Sequence, residues 1–230
     1  MGRISRSRMS AGVYHVFNRG LNSGWILNAA EERDCFFELL CRKAQAHRVN
    51  IYHYCVMSNH FHLAIEVLNT TTLSSFVSGL CSQYSKSWHR HHHNGNGTIW
   101  QGRYKSIIVQ KELYLNRLGR YIEQNPVRAN IVNSAEEYQW SSAWAYTKDH
   151  ADPLVDPTRH PYRKNWGKSE EECRTNYREY LQITPKEESE IFSSANECFC
   201  LGDEAFQAKL MQTNGRMAIR PRRPKKLKVS

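Results

Sequence analysis

The first 125 residues change hydrophobic period in a fixed order, and that order constrains the fold more than any other feature of the chain. Val13-Tyr-His-Val-Phe-Asn18 alternates and is rich in β-formers, which predicts a strand closed by a turn at Arg19-Gly-Leu-Asn-Ser-Gly24. From Glu31 to His47 the apolar positions Cys35, Phe36, Leu39, Leu40 and Ala44 recur at helical spacing. Ile51 to Met57 and His60 to Val67 are two short β-rich runs, and Ser58-Asn59 between them reads as a tight hairpin. Helical spacing returns over Thr70 to His89 through Leu73, Phe76, Val77, Leu80, Tyr84 and Trp88, followed by a polar loop over Arg90 to Gly97. Arg103 to Val109 predicts a strand, and Leu113 to Asn125 a helix stopped by Pro126. The order β-α-β-β-α-β and a further helix is that of an α+β, ferredoxin-like antiparallel sheet with helices on one face.

Beyond Tyr146 the texture changes. Lys148 to Lys168 is loop-like with three prolines, while Ser169 to Leu181 and Asp203 to Met211 predict short helices. This divides the chain into a domain over 1–147, a helical C-terminal extension over 148–214 and a basic, disordered tail over 215–230. That tail carries seven basic residues and no acid, and without it the net charge of +10 falls to +3. A basic arm on a mildly basic body points to a polyanion, most often nucleic acid. No apolar run approaches the ~18–20 residues of a membrane helix, and the charged start lacks the apolar stretch of a secretory signal. The seven cysteines have no paired spacing, as expected of reduced thiols in the cytoplasm rather than a disulfide framework.

Three groups of residues carry chemistry. His60-Phe-His62 lies within a predicted strand, so both imidazoles leave one face and Phe61 the other. Two such histidines can share a cation, but the spacing alone is a weak signal, and two surface or hydrogen-bonded histidines are the commoner reading. In Arg120-Tyr-Ile-Glu-Gln-Asn-Pro-Val-Arg128, Tyr121 and Asn125 stand one helical turn apart. An amide oxygen there could complete a mixed nitrogen and oxygen site suited to Mg²⁺ or Mn²⁺. The plainer alternative is a packed tyrosine and an asparagine capping the helix end. Trp100-Gln-Gly-Arg-Tyr-Lys-Ser106 is basic and aromatic, and Arg103 and Lys105 are spaced to share a strand face. With Trp100 and Tyr104 they could contact phosphates and stack on bases, or protect an edge strand. The histidines of 89–93 sit beside Gly95 and Gly97 and read as a solvated loop, not a metal site.

Four blocks occur in a telling order: Val13-Tyr-His-Val-Phe-Asn-Arg-Gly20, Val56-Met-Ser-Asn-His-Phe-His-Leu63, Trp100-Gln-Gly-Arg-Tyr-Lys-Ser106 and Arg120-Tyr-Ile-Glu-Gln-Asn-Pro-Val-Arg-Ala129. Over residues 9–146 the chain resembles the REP-associated tyrosine transposases, relatives of the IS200/IS605-type single-tyrosine transposases in the HUH endonuclease superfamily. The segment from Leu201 resembles, more weakly, a C-terminal extension of one branch. The resemblance implies Tyr121 as the catalytic tyrosine, and His60 and His62 as metal ligands. Asn125 falls at a third, amide ligand, with Gln124 next door as the alternative. Asn130 replaces a common glycine at a helix-terminating position, which asparagine also tolerates. The implied substrate is a single-stranded, imperfectly palindromic DNA hairpin with an adjoining tetranucleotide. Tyr121 would form a 5′-phosphotyrosine with the help of Mg²⁺ or Mn²⁺. Arg103, Lys105, Arg120 and Arg128 are the candidate DNA contacts, and the general base is unassigned. The resemblance leaves monomer and homodimer open, and the expected location is cytoplasmic, at the nucleoid.

Three rivals deserve comparison. A non-catalytic hairpin-binding protein would have a broken site, whereas both histidines and the tyrosine are present. A replication-initiation nickase of the same superfamily often brings a second tyrosine or a helicase domain. A zinc hydrolase would show a His/Glu helix motif, which this sequence lacks.

Overall fold

A computed structural model describes residues 11–93, 95, 97–183, 185–194 and 200–214. The expected basic tail therefore lies outside the described residues. Strand β1 (Gly12–Arg19) leads through a short 3₁₀ turn to helix α1 (Ala30–His47). Strands β2 (Asn50–Val56) and β3 (His60–Val67) form the hairpin, followed by α2 (Thr70–His92) and β4 (Lys105–Val109). Helices α3 (Lys111–Glu123), α4 (Asn125–Arg128) and α5 (Ala143–Thr147) follow, then α6 (Glu170–Gln182), α7 (Lys186–Ser194), the two-residue strand β5 (Cys200–Leu201) and α8 (Glu204–Asn214).

The sheet order is β2-β3-β1-β4-β5. Each hydrogen-bonded pair among the first four strands is antiparallel, and β5 joins β4 in parallel. The expected ferredoxin-like layout is present. Alternation along the strands splits the core in two. Tyr14, Val16, Phe61, Leu63 and Ile65 face α1 and α2, which bring Phe36, Leu39, Phe76 and Leu80. Val13, Cys55 and Ala64 face the other way and meet Leu115, Leu118 and Ile122 of α3. The helices of the βαββαβ unit thus share one face as expected, while α3 covers the opposite one. A register irregularity between Ile51 and His53 puts both Tyr52 and His53 on the α3 side.

Two sequence expectations are corrected. Helix α2 runs on to His92 and takes in the first three residues of the predicted polar loop. Its last turn is rich in histidine, His92 lies 4.3 Å from Trp88 ring to ring, and its Nε2 meets Glu32 at 2.7 Å. These contacts, with the negative end of the helix dipole, favour continuing the helix. Strand β4 begins at Lys105, because the φ of +147° at Gly102 turns the chain first. Arg103 therefore precedes the strand and does not share a strand face with Lys105.

The change of texture near residue 148 marks no separate core. Val155, Trp166, Tyr177 and Leu181 join the apolar cluster that contains Tyr14 and Phe61. Among the described residues no helix is long and apolar enough to cross a membrane.

Candidate active site

The site lies where β1 and β3 pass beneath the C-terminal end of α3. His60 and His62 project from the same face of β3, with ring centroids 5.1 Å apart and planes near perpendicular. Phe61 points into the opposite core, 5.0 Å from Phe36. The Tyr121 ring stands edge-on to His62 at 5.9 Å. Asn125 lies just past the end of α3, and its Nδ2 donates to the carbonyls of Tyr121 and Ile122 at 3.1 and 3.0 Å. The capping role foreseen for this amide is thus real, and it leaves the amide oxygen to face His60, with which Asn125 also hydrogen-bonds. Gln124 is turned away: it is buried, and its Nε2 donates to the Leu181 carbonyl. Geometry therefore selects Asn125 over Gln124 as the amide beside the histidines. Asn130 adopts the left-handed conformation, φ +54°, after α4.

Burial sets the protonation of this cluster. It lowers the pKa of His60 to about 4, against a smaller upward pull from Asn125. It pushes His62 well below the ordinary range, with His15, His60 and Arg128 adding to the effect. Both imidazoles are neutral at pH 7, the form that can donate a lone pair. Burial raises the Tyr121 hydroxyl above its usual value, and the Arg128 guanidinium opposes that rise. Arg128 lies 4.4 Å above the Tyr121 ring and donates to the Tyr121 carbonyl. It is the nearest fixed positive charge to the phenol.

The donor set suits a hard or borderline divalent cation. His60 faces two acceptor oxygens, Asn59 Oδ1 at 2.5 Å from Nδ1 and the amide oxygen of Asn125, and in the tautomer that donates to Asn59 its Nε2 keeps a lone pair. His62 Nδ1 is held by His15 Nε2 at 2.8 Å. With both histidines protonated on Nδ1, two imidazole Nε2 atoms and one amide oxygen would be available to a cation. Among the described residues no group of three His, Cys, Asp or Glu side chains is placed to hold a metal, so any site here needs the amide.

The predicted DNA contacts separate into three kinds. Lys105 is exposed and sits in the cross-strand row Lys105–Phe17–His62, on the face that carries the histidines. Arg103 is exposed in the preceding loop. Arg128 is half-buried against Tyr121. Arg120 is a correction: it is buried, gives a bidentate pair to Glu188 of α7 (Nη2 at 2.6 Å, Nε at 3.0 Å) and covers the Tyr180 ring at 4.0 Å. Consecutive residues on α3 point about 100° apart, which aims Tyr121 at the sheet and its neighbour Arg120 at the extension. Trp100 and Tyr104 are corrections as well. Both are buried in the α1–α2 core, where Trp100 Nε1 donates to the Cys81 carbonyl at 3.0 Å.

Sequence reasoning passed over three neighbours of the site. His15 is fully buried between His62 and Tyr121. Phe192 of α7 packs 4.9 Å from the Tyr121 ring. Arg19 is exposed opposite His60 in the β1–β3 register. In-phase alternation of Val13, His15 and Phe17 was the signal for His15; the pairing of β1 with β3 was needed to use it. Nothing in the spacing of α7 pointed to Tyr121.

The family model "Transposase IS200 like" matches residues 10–125. A solved REP-associated tyrosine transposase bound to a REP hairpin is similar at 15% identity, over 68% of this chain and 92% of that one, with a TM-score of 0.53. A structure from Deinococcus radiodurans R1, described as a candidate transposase, matches at 18% identity over 57% and 91% of the two chains, with a TM-score of 0.37. No curated protein matches the chain.

Proposed function

The chain belongs to the family of IS200-like transposases, and from that premise we propose that it cuts and rejoins single-stranded DNA at REP-like hairpins with an adjoining tetranucleotide, using Tyr121 as nucleophile and a divalent cation, Mg²⁺ or Mn²⁺, at His60, His62 and Asn125. The observation that carries the reading is the convergence of these four side chains, from β3 and from the end of α3, within a single chain.

In this reading the Tyr121 oxygen attacks the scissile phosphorus. An oxygen–phosphorus bond to the tyrosine forms, the bond to the 3′ oxygen breaks, and the phenolic proton ends on the released 3′-OH. The 5′-phosphotyrosine conserves the phosphoester, so a second 3′-OH can reverse the step and join strands without ATP. When bound, a divalent cation supplies charge neutralisation at the phosphate. Arg128 contributes fixed positive charge beside the phenol as it loses its proton. His60 and His62 remain neutral ligands, and Asn125 joins the site while capping the helix that carries the nucleophile. Lys105 and Arg103 supply backbone contacts to the strand leading into the site, since most such contacts go to phosphate.

The test is incubation of the full chain with labelled hairpin oligonucleotides from repeats flanking its gene, with Mn²⁺ or Mg²⁺. Products are run on a denaturing gel before and after protease. A slow-migrating, protease-sensitive adduct that is absent in Tyr121→Phe is expected. Tight binding with no adduct would replace the reading by a non-catalytic hairpin binder, and cleavage in Tyr121→Phe at the wild-type rate would refute the nucleophile. His60→Ala and His62→Ala should abolish cation-dependent cutting; activity that persists in them and in EDTA would remove the metal from the mechanism.

A further inference from the structure

A histidine buried among aromatic rings beside the proposed ligands calls for an explanation. His15 is 1% exposed, enclosed by Phe17, His62, Tyr121 and Phe192, on a strand face it shares with Val13. A valine or isoleucine would fill such a place without desolvating two ring nitrogens. Its Nε2 lies 2.8 Å from His62 Nδ1, while its own Nδ1 is buried with no hydrogen-bond partner.

We propose that His15 is a positioning residue for the metal site: its Nε2 accepts from His62 Nδ1–H, locking His62 in the tautomer whose Nε2 lone pair faces the cation. The inference rests on the metal-site reading above and deepens it. Each neutral imidazole carries one proton, so the His15–His62 contact has only two forms. If His15 Nε2 donates, His62 must carry its proton on Nε2, and that atom cannot bind a cation. If His62 Nδ1 donates, its Nε2 is free, and the remaining proton of His15 sits on the Nδ1 that has no partner. Only the second form is compatible with a loaded site. The buried orphan N–H is its cost, offset when the cation is bound. Asn59 plays the matching part for His60, accepting from Nδ1 at 2.5 Å. Each proposed histidine ligand thus has one fixed acceptor behind it, the arrangement by which outer partners orient metal-bound imidazoles. The packing follows from β1 being central: its register sets His15 against Ala64, whose small side chain leaves room for the ring to lean toward His62.

The test measures Mn²⁺ binding to the full chain by electron paramagnetic resonance of free Mn²⁺, without DNA and apart from any activity. His15→Val keeps a β-former of suitable shape and removes the acceptor. It is expected to weaken Mn²⁺ binding by about 10–100-fold with no loss of thermal stability. His15→Gln, whose amide oxygen can accept from His62, is expected to recover most of that affinity. Wild-type affinity in His15→Val, or equal losses in the Val and Gln variants, would overturn the proposal while leaving the metal site standing. Should either variant fold poorly, ¹⁵N shifts of the wild-type His62 ring with Mg²⁺ decide the matter: a proton on Nδ1 is expected, and a proton on Nε2 would overturn it. Wild-type protein that binds no Mn²⁺, or binding that survives His62→Ala, would instead bring down the metal-site reading and this inference with it.

Discussion

At Gly119 helix α3 lies directly against the His53 ring of β2, and Gly119→Ala tests how the site is held in place. A Cβ built there would stand 2.5 Å from both Cε1 and Nε2 of His53 and 2.7 Å from Cδ2. The His53 ring has little room to retreat. It is fully buried, its Nδ1 is bonded to Glu123 at 2.9 Å, its Nε2 lies 3.3 Å from His160, and Tyr146 stacks at 5.0 Å. Glu123 is itself committed to Ser142 at 2.5 Å and Tyr177 at 2.7 Å. In an exposed helix the same change would stabilise by about 1 kcal/mol through propensity. Here an overpacking cost near the upper end of about 1–3 kcal/mol opposes it, because three ring atoms are approached below any tolerable contact distance. A net loss of about 1–2 kcal/mol is expected, read as a lower urea midpoint and a melting temperature lower by about 5 °C. The easiest relief is for α3 to lift from β2. Since Tyr121 follows two residues later, cleavage should fall more steeply than hairpin binding, as expected when a reacting group shifts by a fraction of an ångström. With the ring removed in His53→Ala, adding Gly119→Ala should cost nothing or stabilise. A Gly119→Ala chain at least as stable as wild type, or one paying the same penalty without His53, would refute this account of the contact.

Other expectations follow from the same geometry. His15, His60 and His160 are held neutral by burial, with pKa values lowered to about 3, 4 and 2, while in the unfolded chain they titrate near 6.5. The unfolded state therefore takes up more protons below pH 6.5. Stability is complete above that value and falls toward pH 4 by about 1 kcal/mol per unit for each histidine. Melting temperatures at pH 7.5, 6 and 5 measure this, and a flat profile would contradict it. Glu188→Ala leaves the buried Arg120 guanidinium without its carboxylate, a loss of about 3 kcal/mol if α7 stays docked and less if it lifts away. Either way hydrogen exchange over residues 186–194 should speed up, and unchanged exchange would show that the pair does not hold α7. Lys105→Ala should weaken hairpin binding evenly across sequences and reduce the salt slope by about 0.7–0.9, the value for one phosphate contact. An unaltered slope would remove Lys105 from the interface.

What the sequence revealed and what it hid divide along a physical line. Period alone located β1, β3, α1 and the body of α3, because these elements bury one face and expose or pack the other at fixed spacing. His60 and His62 were legible for that reason: both their shared face and the inward Phe61 follow from alternation. Quantities that depend on pairing register or on contacts between distant segments were not. Trp100 and Tyr104 lie in a basic, aromatic stretch that suggests stacking on DNA, yet burial under α1 and α2 claimed both. Arg120 sits beside Tyr121 in sequence but points to Glu188, 68 residues further on. The end of α2 is not legible because the polar run His89-Arg-His-His92 gives no apolar period, while Trp88 and Glu32 supply the contacts that keep it helical.

Helix α3 also explains why the extension belongs to the site and not merely to the surface. Its sheet-facing side carries Gly119, Ile122 and Glu123 onto β2, and its far side carries Arg120 onto α7. Tyr121 lies between these two attachments, and Phe192 of α7 closes over its ring. Gln124, the cap of the same helix, is tied to the Leu181 carbonyl at the end of α6. The position of Tyr121 is therefore fixed jointly by the βαββαβ unit and by residues beyond 148. A truncation after residue 147 would remove Tyr177 from Glu123, Leu181 from Gln124 and Glu188 from Arg120 together. Losses at groups this close are not additive. The truncated chain should lose stability out of proportion to its length, with the end of α3 fraying first, and hydrogen exchange at residues 118–124 is where that loosening would be read.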